Sequence, residues 1–364
     1  MDYLVYWLLY VWCGIVGSFF YFYLKVKKSK IGMVLIFFPM FLVSALRTNS
    51  VGADTRGYFS IFREIASSDF KDLLNDSHEL GYVIFNKIIS FISSDEQILL
   101  IVSSAVIISG IGMFFYKYSD SPFMSAFLYI GLGSYTYMLT PIRQAMAVPF
   151  LLWGMYYLWM NRRMKSYILI LCATAFHYTS ALFIIFPLFF PYSKKKTLIF
   201  IFLSTIACAV FYYVGKEYLE VILMNKYAVY ASGMYAESAP MGAGVVRIII
   251  FAILSFGGWL YIFKATRTIT YTDEQKIYIL SAICYIGTLM IFLGYQYFFL
   301  ARYDVSFWPF AFLLIPIFYN KISGLGRAAM FPFFIIMVTF YMYATYYLRD
   351  MSEFKYQDIM GFFY

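Results

Sequence analysis

The chain has 364 residues, of which 63% are hydrophobic, 23% aromatic and only 13% charged, with a mean hydropathy of +0.74. Soluble domains carry about 25% charged residues, so this composition excludes a soluble globular protein and points to a polytopic membrane protein. The formal net charge of +9 requires no nucleic acid partner, because the basic residues cluster beside apolar runs, where they orient membrane spans.

A helix crossing a bilayer needs about 20 predominantly apolar residues. Such runs lie near 3–24, 31–46, 97–116, 123–139, 144–160, 166–190, 197–214, 245–263, 277–298, 304–319 and 328–347. They predict an all-α polytopic integral membrane protein of about 10–12 transmembrane helices, forming one transmembrane domain over 1–364. No basic region precedes the first run and no small-residue cleavage site follows it, so it reads as a retained span and not a signal peptide.

After the second run comes a long polar segment, 47–96, which opens with Arg47-Thr48-Asn49-Ser50-Val51-Gly52-Ala53-Asp54-Thr55-Arg56-Gly57-Tyr58. Its other acids are Glu64, Asp69, Asp72, Asp76, Glu79, Asp95 and Glu96, and it holds His78. Apolar residues recur at helical spacing over Tyr58 to Ile65, and Gly81 to Ile92 mixes long apolar with small polar groups. Both stretches are expected to be amphipathic helices on the membrane surface. Further along, Pro141-Ile142-Arg143-Gln144 opens the 144–160 run, and Phe176-His177-Tyr178-Thr179-Ser180 interrupts the 166–190 run with one of only two histidines. A second polar segment covers 215–244, and Phe298-Phe299-Leu300-Ala301-Arg302-Tyr303-Asp304 sets another arginine at a span end.

Short cytoplasmic loops collect Lys and Arg. Placing Lys25 to Lys30, Lys117, Arg162 to Lys165, Lys194 to Lys196, Lys264, Arg267, Lys276, Lys321 and Arg327 inside gives that face 16 basic and 3 acidic residues, a net +13; the remaining 12 basic and 16 acidic residues give −4 outside, and the faces add to +9. One tension follows. The stretch between Arg162 to Lys165 and Lys194 to Lys196 is too short for two full crossings at about 1.5 Å per helical residue. Either one cluster lies outside, or 166–190 is a re-entrant or tilted hairpin turning near His177. The hairpin is preferred, since irregular backbone at membrane depth is tolerated where it lines a cavity. About ten full spans then run from an outside N-terminus to an outside C-terminus.

Cys13, Cys172, Cys208 and Cys284 fall in apolar runs without CxxC spacing, which argues against disulfides and metal. No internal repeat and no GxxxxGK[ST] phosphate loop occurs, which disfavours a nucleotide-driven machine. Polar groups near lipid are costly and usually functional. Arg47, Arg143, Arg302 and Arg247 all fall at outer span ends, and guanidinium groups bind phosphate in a two-pronged grip without losing charge. They are therefore candidate ligands for a lipid-borne diphosphate, with Gln144 beside Arg143; the competing reading is that each snorkels to the interface as an anchor. Asp54, in a segment able to turn at Gly52, could accept a proton from a sugar hydroxyl, orient an arginine or pair with Arg56. His177 has the unperturbed chemistry of a general base, though a buried histidine also serves simply to bond a neighbouring helix. Tyr58 and Tyr303 could stack on sugar rings, belt packing being the default for aromatics at this depth.

Arg47, Gly52, Asp54, Thr55 and Tyr58 spell a pattern that resembles the EpsG family of bacterial membrane proteins, which belongs with Wzy-type polysaccharide polymerases. Arg143-Gln144 followed by Ala145 and Ala147 is similar to a second motif of that family, and His177 with Ser180 to a third. The resemblance in hydropathy and motif order covers nearly the whole chain. It implies a glycosyltransferase of GT-C-like helical architecture in the bacterial cytoplasmic membrane. Its substrates would be oligosaccharide repeat units linked to undecaprenyl diphosphate and delivered by a separate flippase, with a chain-length regulator as a further partner. Lipid diphosphate would leave, and no metal or other cofactor would be needed, because arginines can neutralise the leaving group.

Other classes compete. A transporter of lipid-linked sugar would place charges along a pathway and show paired repeats, whereas the polar groups here favour one face. An O-antigen ligase would use the same donor and differ only in acceptor. An acetyltransferase would draw on a cytoplasmic acyl donor, and a purely structural subunit would use the motifs as anchors.

Overall fold

The computed structural model describes residues 3–69, 78–189, 193–226, 241–264, 271–294, 300, 303–348 and 352–361. Apart from loops and turns, the secondary structure among these residues is helical, with one isolated antiparallel bridge between Arg47 and Asp358. In chain order they are α1 (Leu4–Ser18, continued by a π-helical turn Phe19–Tyr23), α2 (Lys30–Ala45), α3 (Thr55–Ser67), α4 (Leu80–Ser90), α5 (Gln97–Tyr118), α6 (Pro122–Gly131), α7 (Ser134–Tyr137) and α8 (Ile142–Trp159). There follow α9 (Arg163–Phe176), a 3₁₀ turn Tyr178–Ile184, α10 (Ile185–Leu188), α11 (Lys194–Lys226), α12 (Met241–Lys264), α13 (Tyr271–Gly294), α14 (Asp304–Lys321) and α15 (Gly324–Tyr347). Among the described residues, six helices are long and apolar enough to cross a membrane: Leu4–Tyr23, Gln97–Tyr118, Lys194–Gly215, Val245–Lys264, Asp273–Gly294 and Gly324–Tyr347. The protein is a multi-pass, all-α membrane protein.

Two expectations need adjusting. The 123–139 run is two short helices, α6 and α7, because Gly133 adopts φ +73, a conformation that glycine enters without steric cost. Helix α11 continues to Lys226, well into the polar segment placed at 215–244, and 227–240 lie outside the described residues. The 166–190 run breaks near His177, where a turn is expected: α9 stops at Phe176 and the chain tightens into 3₁₀ geometry after His177.

The chain divides into two compact units. The first comprises Met1–Gly154, Ile168–Ala181 and Ile315–Tyr364; the second comprises Met155–Tyr167 and Leu182–Leu314. In the first unit α2 lies along α5, where the Ser44 and Ser104 hydroxyls pair at 2.7 Å. Helices α3 and α4 do form in the polar segment. The apolar stripe of α3 (Tyr58, Phe59, Phe62, Ile65) is buried in protein and so is not left for lipid to cover. Ile65 packs on Val83 of α4, and Lys87 of α4 caps the end of α3 by donating to the carbonyls of Ile65, Ala66 and Ser68 at 3.3, 3.1 and 2.8 Å. Those carbonyls have no partner within their own helix, so one ammonium ties the pair together. In the second unit α12 and α13 form the most extensive helix pair, and α11 joins α13 through Thr205 and Tyr285, whose hydroxyls bond at 2.6 Å.

Candidate functional site

Where α9 ends, three side chains meet. Glu79 stands just ahead of α4 and is 3% exposed. One carboxylate oxygen, Oε2, accepts from Arg143 Nη1 at 2.5 Å; the other, Oε1, faces His177 Nδ1 at 3.1 Å and accepts from the backbone N–H of Tyr178 at 3.4 Å. Arg143 comes from the first turn of α8, and its guanidinium lies over the rings of Tyr58 from α3 and Tyr82 from α4, 5.7 Å from each centroid. A desolvated guanidinium on aromatic faces gains from the ring quadrupole.

Local sequence explains the convergence. Phe176, the last residue of α9, stacks on Phe150 of α8 at 5.4 Å and meets Phe85 of α4 edge-on at 6.2 Å, which fixes where the helix stops. Gly81 lets α4 approach α9, since a Cβ there would sit 2.7 Å from the carbonyl oxygen of Ala175. Glu79 and His177 are thereby brought within bonding distance from positions 98 residues apart.

Burial alone would raise the Glu79 carboxyl, but the hydrogen bond from His177 and the Arg143 charge outweigh it and hold Glu79 at about 2. The carboxylate is therefore ionised at any working pH. A carboxylate at Nδ1 selects the tautomer with the proton on that nitrogen, leaving the Nε2 lone pair as a base. Arg143 Nε, Thr179 Oγ1 and Ser180 Oγ are buried and have no hydrogen-bond partner in the protein, a capacity suited to a polar ligand.

The structure brings together three of the residues singled out from sequence, Arg143, His177 and Tyr58. Glu79, which joins the first two, escaped that reading because it was one of eight acids in 47–96. Its one signal was position: it directly precedes the apolar stretch Leu80 to Ile92, where an acid is buried when the helix packs.

Arg47 occupies a different setting. It is 2% exposed, and it donates to Ser44 O at 2.6 Å, Ser44 Oγ at 3.0 Å and Leu139 O at 2.9 Å. Burial draws its guanidinium down to about 10, so it stays charged at neutral pH. Around it the C-terminal segment closes: Thr48 N–H donates to Gln357 O, Gly52 N–H to Glu353 O, and Ile359 N–H to Leu46 O, at 2.9, 2.7 and 2.9 Å. Asp54 is the half-buried residue before α3, and Thr55 is fully buried with its hydroxyl on Val51 O at 2.8 Å. Gln144 is buried in α8. Tyr303 belongs to the second unit, Arg302 lies outside the described residues, and Arg247 lies in α12.

No curated relative and no solved structure matches the chain. The family model of the EpsG family, however, matches residues 30–358, a span that takes in Arg47, Glu79, Arg143 and His177 alike, and the protein therefore belongs to the EpsG family.

Proposed function

We propose that this protein is a polysaccharide polymerase, a glycosyltransferase that joins oligosaccharide repeat units carried on undecaprenyl diphosphate at the outer face of the bacterial cytoplasmic membrane. The observation that carries the reading is the buried carboxylate of Glu79, which holds both an imidazole and a guanidinium that lies against two tyrosine rings. Family membership supplies the reaction class.

In this reading His177 Nε2 takes the proton from the acceptor sugar hydroxyl as that oxygen attacks the anomeric carbon of the donor. The bond from that carbon to the diphosphate breaks, and the lipid diphosphate leaves with the electron pair. Arg143 faces the departing charge. Its Nη1 is committed to Glu79, which fixes the plane of the guanidinium, while Nε has no partner in the protein. Charge stabilisation of this kind by a group already in place costs no reorganisation as the bond breaks. Glu79 keeps the imidazole oriented and stabilises the imidazolium that forms. Tyr58 and Tyr82, edge-on to each other at 5.9 Å, both contact Arg143, and Tyr58 adds a platform for a sugar ring. Arg47 and Asp54 belong to the framework that holds the loop in place, and Gln144 supports the first turn of α8.

The test is elongation in vitro. Purified protein and its host's undecaprenyl-diphosphate repeat unit should give a ladder of products on a gel. Proton transfer by a positioned base is worth roughly 100- to 10,000-fold, so His177→Ala and Arg143→Ala should abolish the ladder at unchanged protein level. A folded wild-type protein that leaves authentic substrate unextended, or a His177→Ala protein with a normal ladder, would overturn the proposal.

A further inference from the structure

The second unit contains a cavity of about 730 Å³, within the size range of roughly 300–1,000 Å³ typical of ligand sites. One wall is a single face of α11. Lys196, Phe200, Ser204, Ala207 and Phe211 line it, recurring every three or four residues as one side of a helix must. At 1.5 Å per residue the stripe is about 22 Å long, with small side chains in the middle and a cation at its start. The opposite wall is a matching stripe of α13, Ile286, Leu289, Met290 and Leu293. Helix α11 is fastened to α13 by the Thr205–Tyr285 bond and by Tyr212 stacked on Phe292 at 5.5 Å, so the groove has fixed sides.

Its polarity is lopsided. Arg163 joins Lys196 in the lining, and each lies in the first turn of its own helix, α9 and α11. The basic clusters 162–165 and 194–196 therefore border one cavity, which agrees with placing both on the cytoplasmic side. A cation in the first turn faces the positive end of the helix dipole, an arrangement that an anion relieves. The remaining lining is almost wholly hydrocarbon.

We infer that this groove binds an anionic phospholipid of the inner leaflet, with the headgroup phosphate on Arg163 and Lys196 and one acyl chain laid along α11 past Ser204 and Ala207. Charge complementarity fixes the class. A zwitterionic lipid offsets its phosphate with its own ammonium, whereas a phosphatidylglycerol presents net negative charge to two cations. The carrier lipid of the proposed reaction has its diphosphate at the opposite face, so the inference stands apart from the polymerase reading.

The test uses the full-length protein, delipidated in detergent and titrated with dioleoyl phosphatidylglycerol or dioleoyl phosphatidylcholine while bound lipid is counted by native mass spectrometry. One phosphatidylglycerol should bind at least 10-fold more tightly than phosphatidylcholine. The double variant R163E/K196E should lose that preference, and S204W should lose the bound lipid by filling the groove. The charge reversals alter only exposed side chains and so decide the matter even if S204W fails to fold. Equal binding of the two lipids, binding unchanged in R163E/K196E, or saturation by undecaprenyl phosphate but not by phosphatidylglycerol would overturn the inference.

Discussion

Glu79 does two jobs with one carboxylate, and they respond differently to substitution. Its pKa falls from 4.5 to about 2 on folding, so the stability it contributes is fully present above the unfolded value and is lost as pH falls through 5 towards 2. At 1.36 kcal/mol per unit the contribution is at most on the order of 3 kcal/mol. Thermal melts in detergent should show the wild type losing stability across that window, with Glu79→Gln showing a flatter profile. Because glutamine can still accept at one oxygen but carries no charge, Glu79→Gln should retain the fold near neutral pH while losing at least 100-fold in elongation rate. The two arginines separate in the same way. Arg143→Lys should leave a well-folded, inactive protein, since an ammonium has no planar face to lay against both rings while it bonds Glu79. Arg47→Ala should lower the amount of folded protein, because it leaves the carbonyls of Ser44 and Leu139 without their charged donor, at about 1.5–3 kcal/mol per charged hydrogen bond; quantitative blots of membrane fractions check this. Arg143 and His177 were legible in the sequence because so few polar groups interrupt the apolar runs. The different settings of Arg47 and Arg143 were not, since they depend on which carbonyls and carboxylates lie within reach in three dimensions.

At the level of the elements, two glycines determine how closely the polar loops can approach. Gly52 has φ +90, and a Cβ on it would meet Leu139 O at 2.8 Å. Gly52→Ala should therefore cost the roughly 1–2 kcal/mol of a left-handed residue together with displacement of the loop ahead of Pro141, seen as a lower melting temperature. Gly81→Ala acts on α4 against α9. Pushed back by the Ala175 carbonyl, α4 would carry Glu79 away from His177, and elongation should fall more steeply than the melting temperature. Hydropathy placed the long helices well, since α5, α12, α13 and α15 span close to their expected runs. It failed where a turn is made by backbone freedom, as at Gly133, or where polar side chains prolong a helix, as in α11. The apolar stripe of α3 was equally visible in the sequence, but its partner was not: amphipathic periodicity reports that a face is covered and leaves open whether protein or lipid covers it.

Across the whole molecule, the helix ends of the first unit constrain topology. Tyr3 and Tyr6 at the start of α1 stack on Tyr346 at the end of α15, at 5.1 and 5.4 Å, so those two ends share a face and the chain between them crosses the membrane an even number of times. Residues 353–359 bond to 46–52, and Arg47 reaches Leu139 O just before α8. The loop after α2, the loop before α8 and the C-terminal segment thus occupy one side of the first unit. From the charge count we predict that this side is exterior and that residues 162–165 and 194–196 are cytoplasmic. Cysteine labelling can check the assignment: of the four native cysteines three are buried and Cys172 is half-buried. In a cysteine-free background, Ala53→Cys and Ser352→Cys, both exposed, should react in intact cells with a thiol reagent that cannot cross the membrane. Lys195→Cys and Arg162→Cys should react only after the cells are opened. Labelling of Lys195→Cys from outside would break the link between the basic clusters and the cytoplasmic face. Opposite labelling of Ala53→Cys and Ser352→Cys would contradict the pairing of the C-terminal segment with the Arg47 loop, because residues joined by backbone hydrogen bonds cannot be separated by a bilayer.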